Sequence, residues 1–325
     1  MEVAPGIHRI ESVLGPRPFS QYVLRGERTL LVDTGVAGTP EGVILPFLDS
    51  MGLGPDNLDF VLNTHADADH FGGNAAVRTW VPRAVFCAHG ADVPWIEDRE
   101  RILRERYGWY AAHDVDYAPE EKDWLRGAMG PDIPIDLQLS GGERFRLGPN
   151  LEVRVIHLPG HSPGHVGLWE TTSRTAIITD AALGRGLYDM AGNVISPPPY
   201  FDVAAYEGSV RLLKSLRPRL LLTAHYEVME GDDAVRFLEE SAAFVERARR
   251  AAAEALATHG GLTLRELLQA SNPELGPFTA MQNELAGTLG AHVEELVAAG
   301  RAEEVFREGP PAWISREPRE GEGER

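Results

Sequence analysis

Over the first 230 residues, short apolar runs suited to strands alternate with longer stretches of helical spacing. Strands are expected at 7–14, 20–25, 28–33, 60–62, 83–88, 150–158, 165–169, 174–179 and 219–223. Ile44, Phe47, Leu48 and Met51 share one helical face, and further helices are expected near 73–80, 203–216 and 231–257. This alternation predicts an α/β layered fold with chemistry on loops at strand ends. Residues 89–135 break the rhythm. They are rich in charge and aromatics and show no clean strand, which reads as a lid, an insertion or an oligomer contact.

A different texture begins at Gly260. Thr263-Leu264-Arg265-Glu266 is a capping box opening a short helix. A second helix is expected near 279–286 and a third over 288–299, with Leu289, Val293, Leu296 and Val297 on one face and Gly300 as its stop. Residues 303–306 and 312–315 read as a hairpin. The expected organisation is a catalytic domain over 1–257, a small winged-helix-like domain over 258–318 and a frayed tail over 319–325. A DNA reader would need basic residues on the third helix, where this chain has Glu294 and Glu295, so packing or dimerisation is the expected role.

Charge narrows the function. Against 31 Lys and Arg stand 49 Asp and Glu, a net −18 that repels phosphate backbones and anionic lipid, so neither nucleic acid nor membrane is an expected partner. Cys87 has no second cysteine to pair with, the start lacks a leader-like pattern, and no apolar run reaches about 18 residues. A soluble, cytoplasmic protein acting on a small molecule is expected, with a homodimer left open.

The chemistry concentrates after the strand at 60–62, in Thr64-His65-Ala66-Asp67-Ala68-Asp69-His70. Two imidazoles and two carboxylates this close need a cation to offset their mutual repulsion and burial. Three later segments have the same character. His161 sits in Pro159-Gly160-His161-Ser162-Pro163-Gly164-His165, Asp180 ends the run Ile177-Ile178-Thr179, and His225 ends Leu221-Leu222-Thr223-Ala224. Strand-end donors from buried strands can converge on one edge of a sheet.

In order and spacing this set resembles the metallo-β-lactamase-fold superfamily of metallohydrolases, over about residues 1–235. The intervals are 91 residues from His70 to His161, 19 to Asp180 and 45 to His225. The resemblance implies an αβ/βα sandwich with a dinuclear metal site. It would place one metal on His65, Asp67 and His161, a second on Asp69, His70 and His225, and Asp180 between them. Asp33 would support the site, His165 its loop, and His157 would be an ordinary strand residue. Tyr226, beside His225, reads as a core or rim residue or as a donor to the substrate oxyanion.

Asp67 stands where most members have His, and a carboxylate there favours harder metals. Zinc is the expected metal, with iron or manganese next because of Asp67. The expected activity is hydrolysis of an ester-like acyl substrate (a thioester, a lactone or a relative) by a metal-bridging hydroxide that Asp69 orients as catalytic residue. The alternative is iron-dependent oxygen or persulfide chemistry on the same fold.

Overall fold

The computed structural model describes residues 1–306 and 308–316, so the tail expected at 319–325 lies outside the described residues. The first sheet runs in sequence order through β1 (Glu2–Ala4), β2 (Ile7–Leu14), β3 (Arg17–Arg25), β4 (Thr29–Val32), β5 (Phe60–Leu62), β6 (Val85–His89) and β7 (Leu137–Leu139). It is antiparallel from β1 to β4 and parallel from β4 to β7. The second sheet contains β8 (Arg144–Gly148), β9 (Leu151–His157), β10 (Val166–Glu170) and β11 (Thr175–Thr179). After a small separate hairpin of β12 (Leu187–Tyr188) and β13 (Val194–Ser196), β14 (Leu220–Thr223) and β15 (Met229–Glu230) complete it in the order β15-β14-β11-β10-β9-β8. Only β11 and β14 run parallel in this sheet.

The two sheets face each other across a core that joins Tyr22, Leu30, Val32 and Leu62 to Val153, Val155, Val166 and Leu222. Strands β4, β11 and β14 are buried along their whole length, which is why they read as continuous apolar runs rather than alternating ones. Helices cover both outer faces. On the first sheet lie α1 (Leu45–Ser50), α2 (Ala68–Phe71), α3 (Asn74–Trp80), α4 (Val93–Ile96), α5 (Arg99–Ile102) and α6 (Pro119–Met129). The excursion at 89–135 therefore folds as short helices, joined by a π-helical turn over Leu103–Tyr107.

On the second sheet pack α7 (Val203–Leu216) and the 28-residue α8 (Asp232–His259), whose apolar positions fall three and four apart. Helix α8 runs through residue 257, where the sequence suggested a boundary. Beyond it come β16 (Leu262–Thr263), α9 (Leu264–Leu275), α10 (Glu284–Ala298) and a hairpin of β17 (Ala302–Val305) and β18 (Ala312–Ser315), which form a three-stranded sheet in the order β16-β18-β17. Leu264, Leu285, Leu289 and Trp313 share one core with Leu158, Ile178 and Phe244. No helix among the described residues is long and apolar enough to cross a membrane.

Two expectations for this region need correction. In place of the helices expected at 279–286 and 288–299 there is one helix, α10, which begins only at Glu284. Gly287, between the two expected segments, is helical like Gly290, and aromatic rings occupy the space their side chains would take. A Cβ would lie 2.8 Å from the Phe201 ring at Gly287 and 2.3 Å from the Tyr110 ring at Gly290. Val297, assigned to the apolar face, is 37% exposed, whereas Leu289, Val293 and Leu296 are buried. Glu294 and Glu295, the acidic pair near the end of α10, are engaged as well. Glu294 accepts from Tyr110, and Glu295 from Arg249.

His292 on α10 is buried, accepts from the Tyr200 hydroxyl at 2.8 Å and turns Nδ1 toward Glu295. Burial pushes its pKa down to about 4. The unfolded chain therefore binds a proton below about pH 6.5 that the folded chain refuses until about pH 4, so stability falls as pH drops through that window. The loss approaches about 3 kcal/mol. The melting temperature of His292→Gln should consequently fall less between pH 7 and 4.5 than that of wild type. Parallel curves would count against a neutral His292.

Candidate metal centre

The carboxyl ends of the parallel strands in both sheets meet at one edge, where open α/β sheets place their ligands. Strand β4 delivers Asp33, β5 the segment Thr64–His70, β11 Asp180 and β14 His225, and the β9–β10 loop adds His161. Asp33 and Thr179 both take left-handed backbone conformations, with φ of 62° and 42°. Such geometry costs energy in a non-glycine residue and persists where surrounding contacts over-determine it.

Asp33 supplies those contacts. It accepts from the Thr64 amide at 2.7 Å, from the Thr64 hydroxyl at 2.8 Å and from His70 Nδ1 at 2.7 Å. Each of the four imidazoles is held by Nδ1: His70 on Asp33, His161 on the Pro199 carbonyl at 2.8 Å, His225 on the Pro18 carbonyl at 3.1 Å, and His65 on Thr64 Oγ1 at 3.1 Å. Every partner accepts, because Thr64 already gives its proton to Asp33. All four rings therefore turn Nε2 into the site, the orientation a metal needs.

Two triads bring one donor atom each within 4.8 Å of one another, His65–His161–Asp180 and Asp69–His70–His225. Asp180 touches both. Its Oδ2 is 3.6 Å from His70 Nε2 and 3.3 Å from His225 Nε2. Asp67 lies beside the first triad, with Oδ2 at 3.7 Å from His65 Nε2 and 3.1 Å from His161 Nε2. The seven sequence candidates thus converge.

Nε2 of His65, His70 and His225 and Oδ1 of Asp67 and Asp180 are buried with no hydrogen-bond partner among the described residues. Orphaned donors this dense are costly unless a cation satisfies them, so the residues fit a metal. The electrostatics agree. Burial opposes charge on Asp180, yet His225 and His70 hold it well below the usual carboxylate range. Burial likewise opposes charge on His70, whose pKa Asp33 and Asp180 nevertheless raise. The site demands positive charge.

Residues that the sequence did not mark complete it. Asp92, buried and pushed up to about 6 by that burial, accepts from Ala66, Ser162 and Gly164 and ties the two metal loops together. Arg106 donates to Asp67. His165 stacks on His65 and meets the Thr179 hydroxyl. His157 stands apart, stacked on His89. The Tyr226 hydroxyl donates to the carbonyls of Leu183 and Gly186 and so is not turned to a substrate. A cleft of about 480 Å³ opens onto the donors, with walls from Trp124 and Leu125 of α6, Leu183, Leu187, Ile195 and Met281.

The chain is similar to known proteins. The chain is 29% identical over 294 residues to a hydroxyacylglutathione hydrolase of Methylococcus capsulatus, covering 86% of this chain and 90% of that one. It is 27% identical to an acyl-coenzyme A thioesterase of Gallus gallus over 66% of this chain and 75% of that one. A metallo-beta-lactamase family protein of Thermus thermophilus has the same fold along the chain, with a TM-score of 0.75, 21% identity and coverage of 97% and 100%. A family model described as the metallo-beta-lactamase superfamily matches residues 14–225. The chain belongs to the metallo-beta-lactamase superfamily of metallohydrolases.

Proposed function

We propose that this chain hydrolyses an ester-like acyl substrate (a thioester, a lactone or a relative) at two divalent metal ions. His65, Asp67 and His161 would hold one ion, and Asp69, His70 and His225 the other, with Asp180 between them. Zinc is the default occupant. Such ions, when bound, supply hydroxide at neutral pH and polarise the substrate carbonyl. The observation that carries the reading is the apolar cleft opening directly onto orphaned donor atoms. Two relatives named for acyl hydrolysis support it.

The chain's own residues have definable tasks. Asp69 is only partly buried and lines the cleft, where it can orient the attacking water and accept its proton for delivery to the leaving group. Arg17, whose Nη2 is 3.8 Å from Asp69, lines the same floor. Leu183, Leu187 and Ile195 offer an apolar wall that takes an acyl chain and excludes bulk water from the reacting carbonyl. We assign these tasks to a catalytic region over 1–257, with a winged-helix-like unit over 258–318 that shares its core.

Metal-loaded protein assayed against acyl thioesters, lactones, aryl esters and phosphodiesters should turn over at least one acyl class. Activity confined to phosphodiesters, or absent from all four, would overturn the proposal. The Asp67 carboxylate beside His65 and His161 favours a second reading, iron-dependent oxygen or persulfide chemistry. Oxygen uptake with a persulfide by iron-loaded protein would select it.

A further inference from the structure

Arg106 is 3% exposed and sits on the π-helical turn of the excursion, too deep to line the cleft. Its Nη2 donates to Asp67 Oδ2 at 3.1 Å and to Glu284 Oε2 at 3.1 Å. Glu284 is the first residue of α10, is also 3% exposed, and accepts from the Tyr117 hydroxyl on its other oxygen. The guanidinium lies over the Phe201 ring at 4.5 Å and the Tyr107 ring at 5.1 Å. One buried line of charge therefore joins the metal loop, the excursion and the C-terminal helix.

A buried cation between two carboxylates is an expensive arrangement that a fold keeps only when its geometry is well satisfied. Here it has a visible consequence. Asp67 Oδ2 is committed to Arg106 and His161, while Oδ1 is buried with no hydrogen-bond partner among the described residues. With one oxygen pinned, the carboxylate cannot rotate freely beside His65 and His161. The side-chain contacts of this line stop at His65 and His161, and it meets the other triad only through the backbone, where the His70 amide donates to the Asp67 carbonyl at 2.8 Å.

We propose that Glu284 and Arg106 form a strut that positions Asp67 against the His65–His161 side of the metal centre, so that helix α10 is part of the centre's construction. Arg106 and Glu284 are positioning residues that act through Asp67. The proposal rests on the two-ion reading given above, and it makes the two ions unequal in their dependence on the C-terminal helix. Groups outside the donor set that orient metal ligands are typically worth about 10–100-fold in metal affinity.

The test uses the full chain as wild type, Glu284→Gln, Arg106→Met and the double variant. Zinc affinity is measured by competition with a chromophoric chelator, the visible spectrum is taken with cobalt(II), and each metal-free protein is melted. Wild type should bind two ions. Each single variant should hold one ion as before and the other about 10–100-fold more weakly, with change confined to part of the cobalt spectrum. The double variant should be no worse than Arg106→Met, because the three residues act in series. Unchanged affinities, equal weakening at both ions, or additive losses would each overturn the strut. Wild type that binds no zinc would instead overturn the metal reading beneath it. Glu284→Gln is near-isosteric and carries the test alone if Arg106→Met fails to fold.

Discussion

Stripping the protein with a chelator is expected to abolish turnover and lower its melting temperature by about 10 °C. The donors come from four segments between His65 and His225, so an ion bound across them is present only in the folded state and its binding energy adds to folding energy. At a free metal concentration about a thousandfold above Kd, linkage contributes about 4 kcal/mol for each of two ions, and with about 2.1 cal/mol/K of unfolding entropy per residue each kcal/mol moves the transition of a 325-residue chain by about 1.5 °C. Removal also restores the burial cost of the orphaned Nε2 and carboxylate atoms. Calorimetry with and without chelator, then with zinc restored, measures both effects. A melting temperature that does not respond to chelation, in protein shown to have carried metal, would refute the assignment.

Ending the chain at residue 257 should produce a protein that does not fold cooperatively. The cut falls inside α8 and removes Leu264, Leu267, Phe278, Leu285, Leu289 and Val293, all buried in the core they share with α7 and α8. Each large apolar side chain taken out of the core costs about 1.5–3 kcal/mol, and six of them match or exceed a whole domain's stability of about 5–15 kcal/mol. Arg106 would also lose Glu284. The truncated chain should bind a hydrophobic dye and lack a sharp melting transition although every metal donor remains. A soluble fragment melting cooperatively within about 5 °C of the full chain would contradict this.

Much of the site was legible in the sequence because its chemistry is local. Four potential ligands crowd into residues 65–70 directly after a buried strand, and His161, Asp180 and His225 each end an apolar run. Strands β2, β5, β11 and β14 were likewise visible, since burial imposes composition on short segments. Arg106 and Glu284 were not legible. They are 178 residues apart, and in Leu103-Arg104-Glu105-Arg106-Tyr107 nothing local distinguishes the buried arginine from its exposed neighbour Arg104. The continuity of α10 was hidden for the same reason. Glycine lowers helix propensity locally, and the rings of Tyr110 and Phe201 that require it lie far away in sequence.

Distributing the donors over both sheets also sets an order of assembly. The β2–β4 meander closes through contacts between near neighbours, which costs little loop entropy. The candidate centre is complete only once β14 has been synthesised and docked beside β11, since His225 is the last of the converging donors in the chain. An ion held across these donors would therefore bind only a chain that has already brought both sheets together.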